Sequence, residues 1–148
     1  MRAYISFKSL KLMYFLCMRD NQWLLFRLEE IWRNHFSEVK QVNPVSISFG
    51  REATYRFGSI RLNFTTGKSQ ILINGRFSDP GYPQEVIDHT IAHELVHYAQ
   101  GFSSPNPRMH RYPHRGGVID RELAGRGLHH LVVFYKKWVK DYVKTLPQ

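Results

Sequence analysis

Apolar residues recur at helical spacing in segment 84–100. They stand four, four and three positions apart, so on a helix they share one face, which is typical of a helix packed on a core. Pro83 stands where the start of a helix tolerates a missing N–H, and Glu85 lies in the first turn, where a negative charge is favourable. The pattern predicts a helix with one buried stripe, formed by Ile87, Ile91, Leu95 and Tyr98.

Helical patterns also occur near both ends of the chain. Segment 22–36 follows Asp20 and Asn21, either of which can cap a helix. Segments 118–123 and 128–144 are separated by two glycines, which weaken a helix. Each pattern predicts a helix with one face against the core. The predicted inward residues are Trp23, Phe26 and Ile31, with Leu24, Leu28 and Phe36 as further members, and then Leu128, Leu131, Phe134 or Tyr135, Trp138 and Tyr142.

Shorter runs between these helices alternate apolar and polar residues, as strands do. They cover residues 45–49, 54–57, 59–64 and 70–74, and the Gly67-Lys68 turn joins the last two into a hairpin. The order of elements predicts an α+β fold with an N-terminal packing helix and a small mixed or antiparallel sheet of three to four strands. A central helix, a long loop and a C-terminal helix complete it.

Length and composition predict one folded domain. The chain has 148 residues, of which 43% are hydrophobic, and this is enough for a core of its own. We expect residues 1–18 to be an N-terminal extension, as a strand or an extra turn of helix, and residues 19–148 to be the domain. Met18 is an alternative to Met1 as the natural start. The apolar stretch at 12–18 is too short to cross a bilayer.

Cys17 is the only cysteine in the sequence. A disulfide within the chain is therefore impossible, and so is a zinc ribbon, which needs several cysteines. This composition fits a reducing compartment. We therefore expect a cytoplasmic protein that does not associate with a membrane.

Positive charge is concentrated towards the C-terminus. The net charge of the chain is +9, and residues 101–148 contain nine Lys/Arg against three Asp/Glu. Such an excess suits a polyanionic partner, most simply DNA, although ordinary solubilising charge gives the same count. The composition leaves these two interpretations open.

The chemistry that the sequence suggests lies in the central helix, at His93-Glu94-Leu95-Val96-His97. Residues four apart on a helix project from one face, so both imidazoles can bind one Zn²⁺. Glu94 is displaced around the helix and can reach a water molecule on the open side of the ion. The motif predicts a zinc site with a carboxylate beside it.

A hydrolytic zinc site needs a third protein ligand and one open position. Residues 101–117 are too rich in proline and glycine for regular structure, and a loop of this length in a compact domain is usually functional. His114, at the junction with the next helix, is the first candidate ligand; His110 and Glu122 are the alternatives. His89, four residues before His93, is expected to support the site or to lie on the surface, because three ligands on one straight helix cannot surround an ion tetrahedrally.

The segment Ile91-Ala92-His93-Glu94-Leu95-Val96-His97-Tyr98 resembles the SprT-like (Spartan-type) zinc metallopeptidase family. A strand that contains residues 71–74 precedes it, and a segment similar to the family's His-Gly signature follows at 114–117. The resemblance covers roughly residues 20–135 as an order of elements. It implies a zincin-like fold, zinc bound by His93, His97 and His114, and catalysis by Glu94. One departure is that Arg115 stands between the histidine and Gly116, which keeps His110 open as a ligand.

The first functional hypothesis is a zinc metallopeptidase that hydrolyses peptide bonds by metal-activated water. Its substrate would be a protein or peptide, and the family resemblance points to DNA-associated proteins. Glu94 would act as the base, and Tyr112 or Arg115 on the long loop would donate a hydrogen bond to the oxyanion.

The alternative hypothesis is a basic nucleic-acid-binding module in which zinc is structural and no reaction is catalysed. Its phosphate contacts would come from the arginines of the long loop and the lysines of the last helix, and Tyr112 would stack on a base. A closed site with four ligands favours this alternative, whereas an open position favours the peptidase. The proposed contacts are Arg108, Arg111, Arg115, Lys136, Lys137, Lys140 and Lys144.

Overall fold

The computed structural model describes residues 6–147, with residues 14–17 described at the level of the backbone only. The described chain is α+β, as predicted. Its helices are α1 (Phe7–Cys17), α2 (Asn21–His35), α3 (Gln84–Ala99), α4 (Val118–Gly125) and α5 (His129–Lys144), and its strands are β1 (Val45–Phe49), β2 (Gly58–Asn63) and β3 (Lys68–Ile73). Short 3-10 turns at Gly75–Ser78 and Arg115–Gly117 precede α3 and α4.

The three strands form one mixed sheet in the order β1-β3-β2. β1 runs parallel to β3, and β2 runs antiparallel to it with Gly58 opposite Ile73. Gly67 turns the β2–β3 hairpin with a positive φ of 69°, a backbone conformation that glycine adopts without a steric cost. The predicted hairpin and the mixed sheet of three strands are therefore confirmed.

The strand predicted at 54–57 is wrong, because these residues belong to a loop that leads into β2. The β2–β3 ladder ends at the pair of Gly58 and Ile73, so this segment lies beyond it. The side chain of Asn74 binds the loop instead: its amide donates to the carbonyls of Ala53 and Arg56, and its oxygen accepts from the N–H of Ala53. The loop thus satisfies its backbone without ladder bonds.

Helix α3 lies at the centre of the molecule, in contact with the sheet and with α2, α4 and α5. The predicted stripe is confirmed, since Ile87, Ile91, Leu95 and Tyr98 are each at most 1% exposed. However, burial is not limited to that stripe. Twelve of the sixteen residues of α3 are buried, including polar residues on the motif side. Of the motif, Glu94, Leu95, Val96 and His97 are therefore buried, whereas His93 is half-buried.

Helix α2 packs with a stripe that the sequence pattern identified only in part. Asp20 caps the helix by accepting from the N–H of Trp23 at 2.8 Å. Leu24, Leu28 and Ile31 are buried at spacings of four and three, whereas Phe26 is 55% exposed. The prediction of Phe26 as an inward residue is wrong, because it lies about half a turn from the residues of the true stripe.

The N-terminal extension contains helix α1, so the helical alternative expected there is the one observed. Its side chains at residues 7–13 are exposed. In the described part of the chain, none of the helices combines the length and the apolar character that crossing a membrane requires.

Candidate metal centre

Three imidazole nitrogens converge at one point of the structure. The Nε2 atom of His97 lies 3.1 Å from Nε2 of His93 and 2.9 Å from Nε2 of His114. One ligand atom from each of the three residues lies within 4.8 Å of the other two, so this group could bind a metal ion. The structure thus brings the two motif histidines together with the first of the three candidate third ligands.

Helix α3 and the loop after it position these side chains in different ways. His93 and His97 stand one turn apart on a rigid helix. The helix then ends in a Schellman motif: Gly101 has a φ of 75°, and the N–H of Phe102 donates to the carbonyl of His97 at 2.8 Å. This motif reverses the chain, so the loop can return His114 to the side of α3 that carries the other two histidines.

The loop is fixed to the end of α3 by backbone contacts. The N–H of Met109 donates to the carbonyl of Gln100 at 2.9 Å. A Cβ at Gly101 would lie 2.3 Å from the carbonyl oxygen of Pro107, so only glycine permits this close approach. Gly116 and Gly117, both with a φ of 69°, then carry the chain into α4 directly after His114.

The alternative third ligands lie elsewhere. Glu122 accepts hydrogen bonds from Gln100 and Arg126 and does not belong to the histidine group. His110 also lies outside that group, and its carbonyl oxygen accepts from Arg108. His89 is buried and stacks on Tyr135, with ring centroids 3.9 Å apart.

The electrostatics of the group suit a cation. Burial lowers the pKa of His93 to about 4 and that of His97 to about 3, so both rings are neutral at pH 7 with a lone pair available. Hydrogen bonds among the three rings do not satisfy these nitrogens well. Only a nitrogen that carries a proton can donate, and the other nitrogens can only accept. In a tetrahedral site with metal–nitrogen bonds of roughly 2.0–2.1 Å, ligand nitrogens lie about 3.3 Å apart, close to the spacings found here.

Glu94 lies beside this group in a site of low polarity. The residue is only 5% exposed, and burial raises the pKa of its carboxyl group to about 8. A Cβ at Gly58, the first residue of β2, would lie 3.1 Å from Oε1 of Glu94 and 2.5 Å from Cγ2 of Thr90. The start of β2 can approach the carboxylate because Gly58 has no side chain.

A cleft of about 190 Å³ opens beside the carboxylate and His93. Its walls come from the loop before β2, the motif side of α3 and one residue of α5. The lining residues are Tyr55, Arg56, Phe57, Gly58, His89, Thr90, His93, Glu94 and Tyr135. The volume is several times that of one water molecule, so the cleft has room for a small part of a substrate.

Tyr135 lines the cleft, and the sequence did not indicate that it lies beside Glu94. The helical pattern predicted either Phe134 or Tyr135 to face inward, and the structure shows Tyr135 half-buried while Phe134 is 37% exposed. Burial raises the pKa of the Tyr135 hydroxyl, which therefore stays protonated at neutral pH. No motif carries this information, because the residue is forty-one positions from Glu94 and only packing of α5 on α3 brings them together.

Tyr112 and Arg115, the oxyanion donors expected from the sequence, lie on the exposed side of the loop. Tyr112 is 54% exposed, and the guanidinium groups of Arg111 and Arg115 each lie 5.5 Å from the centroid of its ring. Neither Tyr112 nor Arg115 lines the cleft beside Glu94. Their catalytic role stays a prediction.

Comparison with known proteins gives no match: no family model fits the chain, and neither a curated protein nor a solved structure is significantly similar to it. The resemblance to the SprT-like family therefore depends on the motif residues alone. The structure adds that His93, His97 and His114 converge at one point.

Proposed function

We propose that this chain is a zinc-dependent metallopeptidase of zincin-like organisation that hydrolyses peptide bonds. The observation that carries the proposal is the position of Glu94, a buried carboxylate beside both a convergent group of three histidines and an open cleft. A carboxyl group buried with no ion pair to a described residue is costly to ionise, and groups perturbed in this way are concentrated at functional sites.

Three histidines would hold the ion, namely His93, His97 and His114. Imidazole also suits copper, nickel and iron, so the ligand type alone leaves the metal open. The spacing of the nitrogens and the set of three histidines would suit zinc. When bound there, Zn²⁺ supplies Lewis acidity, which lowers the pKa of water and polarises a carbonyl oxygen.

The residues of the chain would then move the proton. Glu94 accepts a proton from the attacking water and returns it to the leaving amine. A carboxyl group whose pKa is raised by burial is a stronger base than an exposed one, and a nearby cation keeps it ionised. Tyr135, which lines the cleft and keeps its hydroxyl proton at neutral pH, is the donor that its position favours for the developing oxyanion.

The decisive experiment compares the wild type with Glu94→Gln after loading with Zn²⁺. We expect the wild type to cleave an unfolded protein substrate, chelation to abolish cleavage, and Glu94→Gln to lower kcat by about 10²–10⁴-fold, the usual contribution of general acid–base catalysis. The variant should retain one zinc per chain by elemental analysis. Glu52→Gln, which changes an exposed carboxylate on the loop before β2, is the matched control. Equal activity of the Glu94 variant and the wild type would refute the proposal.

The alternative function, nucleic-acid binding with a structural zinc, is favoured by one observation: the exposed ring of Tyr112 has the guanidinium groups of Arg111 and Arg115 close to it. An exposed aromatic ring close to two guanidinium groups suits a nucleic acid, because the ring can stack on a base and the arginines can contact phosphates. Lys137 and Lys140 on α5 make no ion pair with a described residue, so they too are available for phosphates. This surface is also compatible with a peptidase that acts on DNA-associated proteins.

Binding of single-stranded DNA at several salt concentrations tests this surface. We expect the affinity to fall steeply with salt, and the double variant Arg111→Gln/Arg115→Gln to lower the salt dependence by about two contacts. Arg33→Gln, on the exposed side of α2, is the control. Binding that is absent or insensitive to salt would remove nucleic acid as a partner.

A further inference from the structure

Of the three buried side-chain polar atoms that have no hydrogen-bond partner among the described residues, two lie on residues three positions apart at the C-terminal end of α3. They are Nδ1 of His97 and Oε1 of Gln100, and each residue is only 2% exposed. His97 is in the last turn of α3 and Gln100 is its C-cap, so the two residues share one face of the helix. An unpaired polar atom in such a place is unfavourable, because bulk water cannot reach it.

The hydrogen-bonding character of these atoms is determined by their neighbours. Nε2 of Gln100 donates to a carboxylate oxygen of Glu122, and since a carboxylate only accepts, the amide cannot be flipped. The unpaired atom of Gln100 is therefore an acceptor. Nε2 of His97 points at His93 and His114; when it binds an ion, the proton of the neutral ring is on Nδ1. The unpaired atom of His97 is then a donor.

Gln100 is itself held in place by a chain of polar contacts. Glu122 accepts from Nε and Nη2 of Arg126 at 3.2 and 3.0 Å. Arg126 also donates to the carbonyl of His35, the last residue of α2, at 2.9 Å. These contacts connect Gln100, at the end of α3, to α4 and to the end of α2. They fix the orientation of its amide independently of the ring of His97.

We propose that Gln100 is a positioning residue of the metal centre: its Oε1 accepts the Nδ1–H proton of His97, directly or through one buried water, and holds Nε2 of His97 towards His93 and His114. Ligating histidines generally donate their other N–H to such a partner, which orients the ring and selects the tautomer. This inference rests on the proposed metal centre but not on peptidase activity.

The first test measures Zn²⁺ affinity of the full chain by competition with a chromophoric chelator. Gln100→Met keeps the volume of the side chain and removes the acceptor, so we expect the Kd for Zn²⁺ to rise about 10–100-fold. Gln22→Met makes the same change at an exposed position of α2, outside the histidine group, and should bind Zn²⁺ like the wild type. Thermal unfolding of the metal-free proteins separates a loss of affinity from a loss of fold. An unchanged Kd in a folded Gln100→Met protein would overturn the inference.

The second test needs no variant, and so it decides the question even if Gln100→Met does not fold. Nitrogen-15 NMR of the zinc-loaded wild type reports the tautomer and proton exchange of each histidine ring. We expect an Nδ1–H signal from His97 that exchanges slowly, in contrast to the exposed ring of His114. Rapid exchange at His97 would overturn the inference. A wild type that binds zinc without cleaving peptides would refute the proposed function alone, whereas one that binds no zinc would refute both.

Discussion

The Nε2 atoms of His97 and His114 lie 2.9 Å apart, although seventeen positions of sequence separate the two residues. One histidine is on the most deeply buried helix of the molecule, and the other is on an exposed loop. A rigid helix turn therefore supplies two nitrogens, and a loop closed on the C-terminal end of that helix supplies the third. We therefore expect the replacement of any one of these three histidines to weaken Zn²⁺ binding more than the replacement of a histidine nearby.

Replacement of His114 should remove most of the metal affinity. We expect His114→Ala to weaken Zn²⁺ binding by more than the roughly 10–100-fold that loss of an outer-shell partner causes. His110→Ala, four residues earlier on the same loop, should bind zinc like the wild type, because His110 lies outside the convergent group. Titration calorimetry of both variants checks this, and the reverse order of affinities would make His110 the third ligand.

Tyr135 is expected to contribute to catalysis through its hydroxyl group. Tyr135→Phe removes the hydroxyl and leaves the ring on His89, so kcat should fall about 10²-fold with little change in KM. Tyr55→Phe, which changes an exposed tyrosine on the opposite wall of the cleft, should have no comparable effect. Steady-state kinetics with a fluorogenic peptide measures both. A change confined to KM would show that Tyr135 only binds substrate.

Gly58 is expected to tolerate no side chain. A Cβ would lie 2.5 Å from Cγ2 of Thr90 and 3.1 Å from the carboxylate of Glu94, so Gly58→Ala should lower the free energy of unfolding by about 1–3 kcal/mol. It should also impair cleavage by displacing Glu94. Gly125→Ala meets no atom within 4 Å at the end of α4 and should be neutral or stabilising by up to about 1 kcal/mol. Urea unfolding of both variants tests the contrast.

The stability of the metal-free protein should depend on pH through Glu94. Burial raises the pKa of this group from 4.5 to about 8, so between these values the folded state retains a proton that the unfolded state releases. The free energy of unfolding therefore falls as pH rises through this window, at a slope of up to about 1.4 kcal/mol per pH unit. Glu94→Gln lacks this term.

The measurement is urea unfolding in the presence of a chelator from pH 5 to pH 9. The stability of Glu94→Gln relative to the wild type should increase with pH and become constant above about pH 8. A difference that does not vary with pH would show that Glu94 is solvated in the folded protein.

Local patterns in the sequence were sufficient for most of the fold. The spacing of Ile87, Ile91, Leu95 and Tyr98 predicted α3 to within one residue of its observed end. The pattern failed for Phe26 and for the segment at 54–57. In both cases an apolar local pattern was overruled by the position of the neighbouring elements, which a window of sequence does not contain.

The sequence by itself determined the central helix, the pair His93 and His97, and the carboxylate between them, because a separation of four residues has a fixed geometry on a helix. It left three candidates for the third ligand and did not place Tyr135 or Gln100 near the site. Only the tertiary structure placed His114, Tyr135 and Gln100 beside the motif, since contacts between distant segments depend on how the loop after α3 closes and how α5 packs. Burial is likewise a property of the folded chain, and burial is what raises the pKa of Glu94 and leaves the histidines neutral.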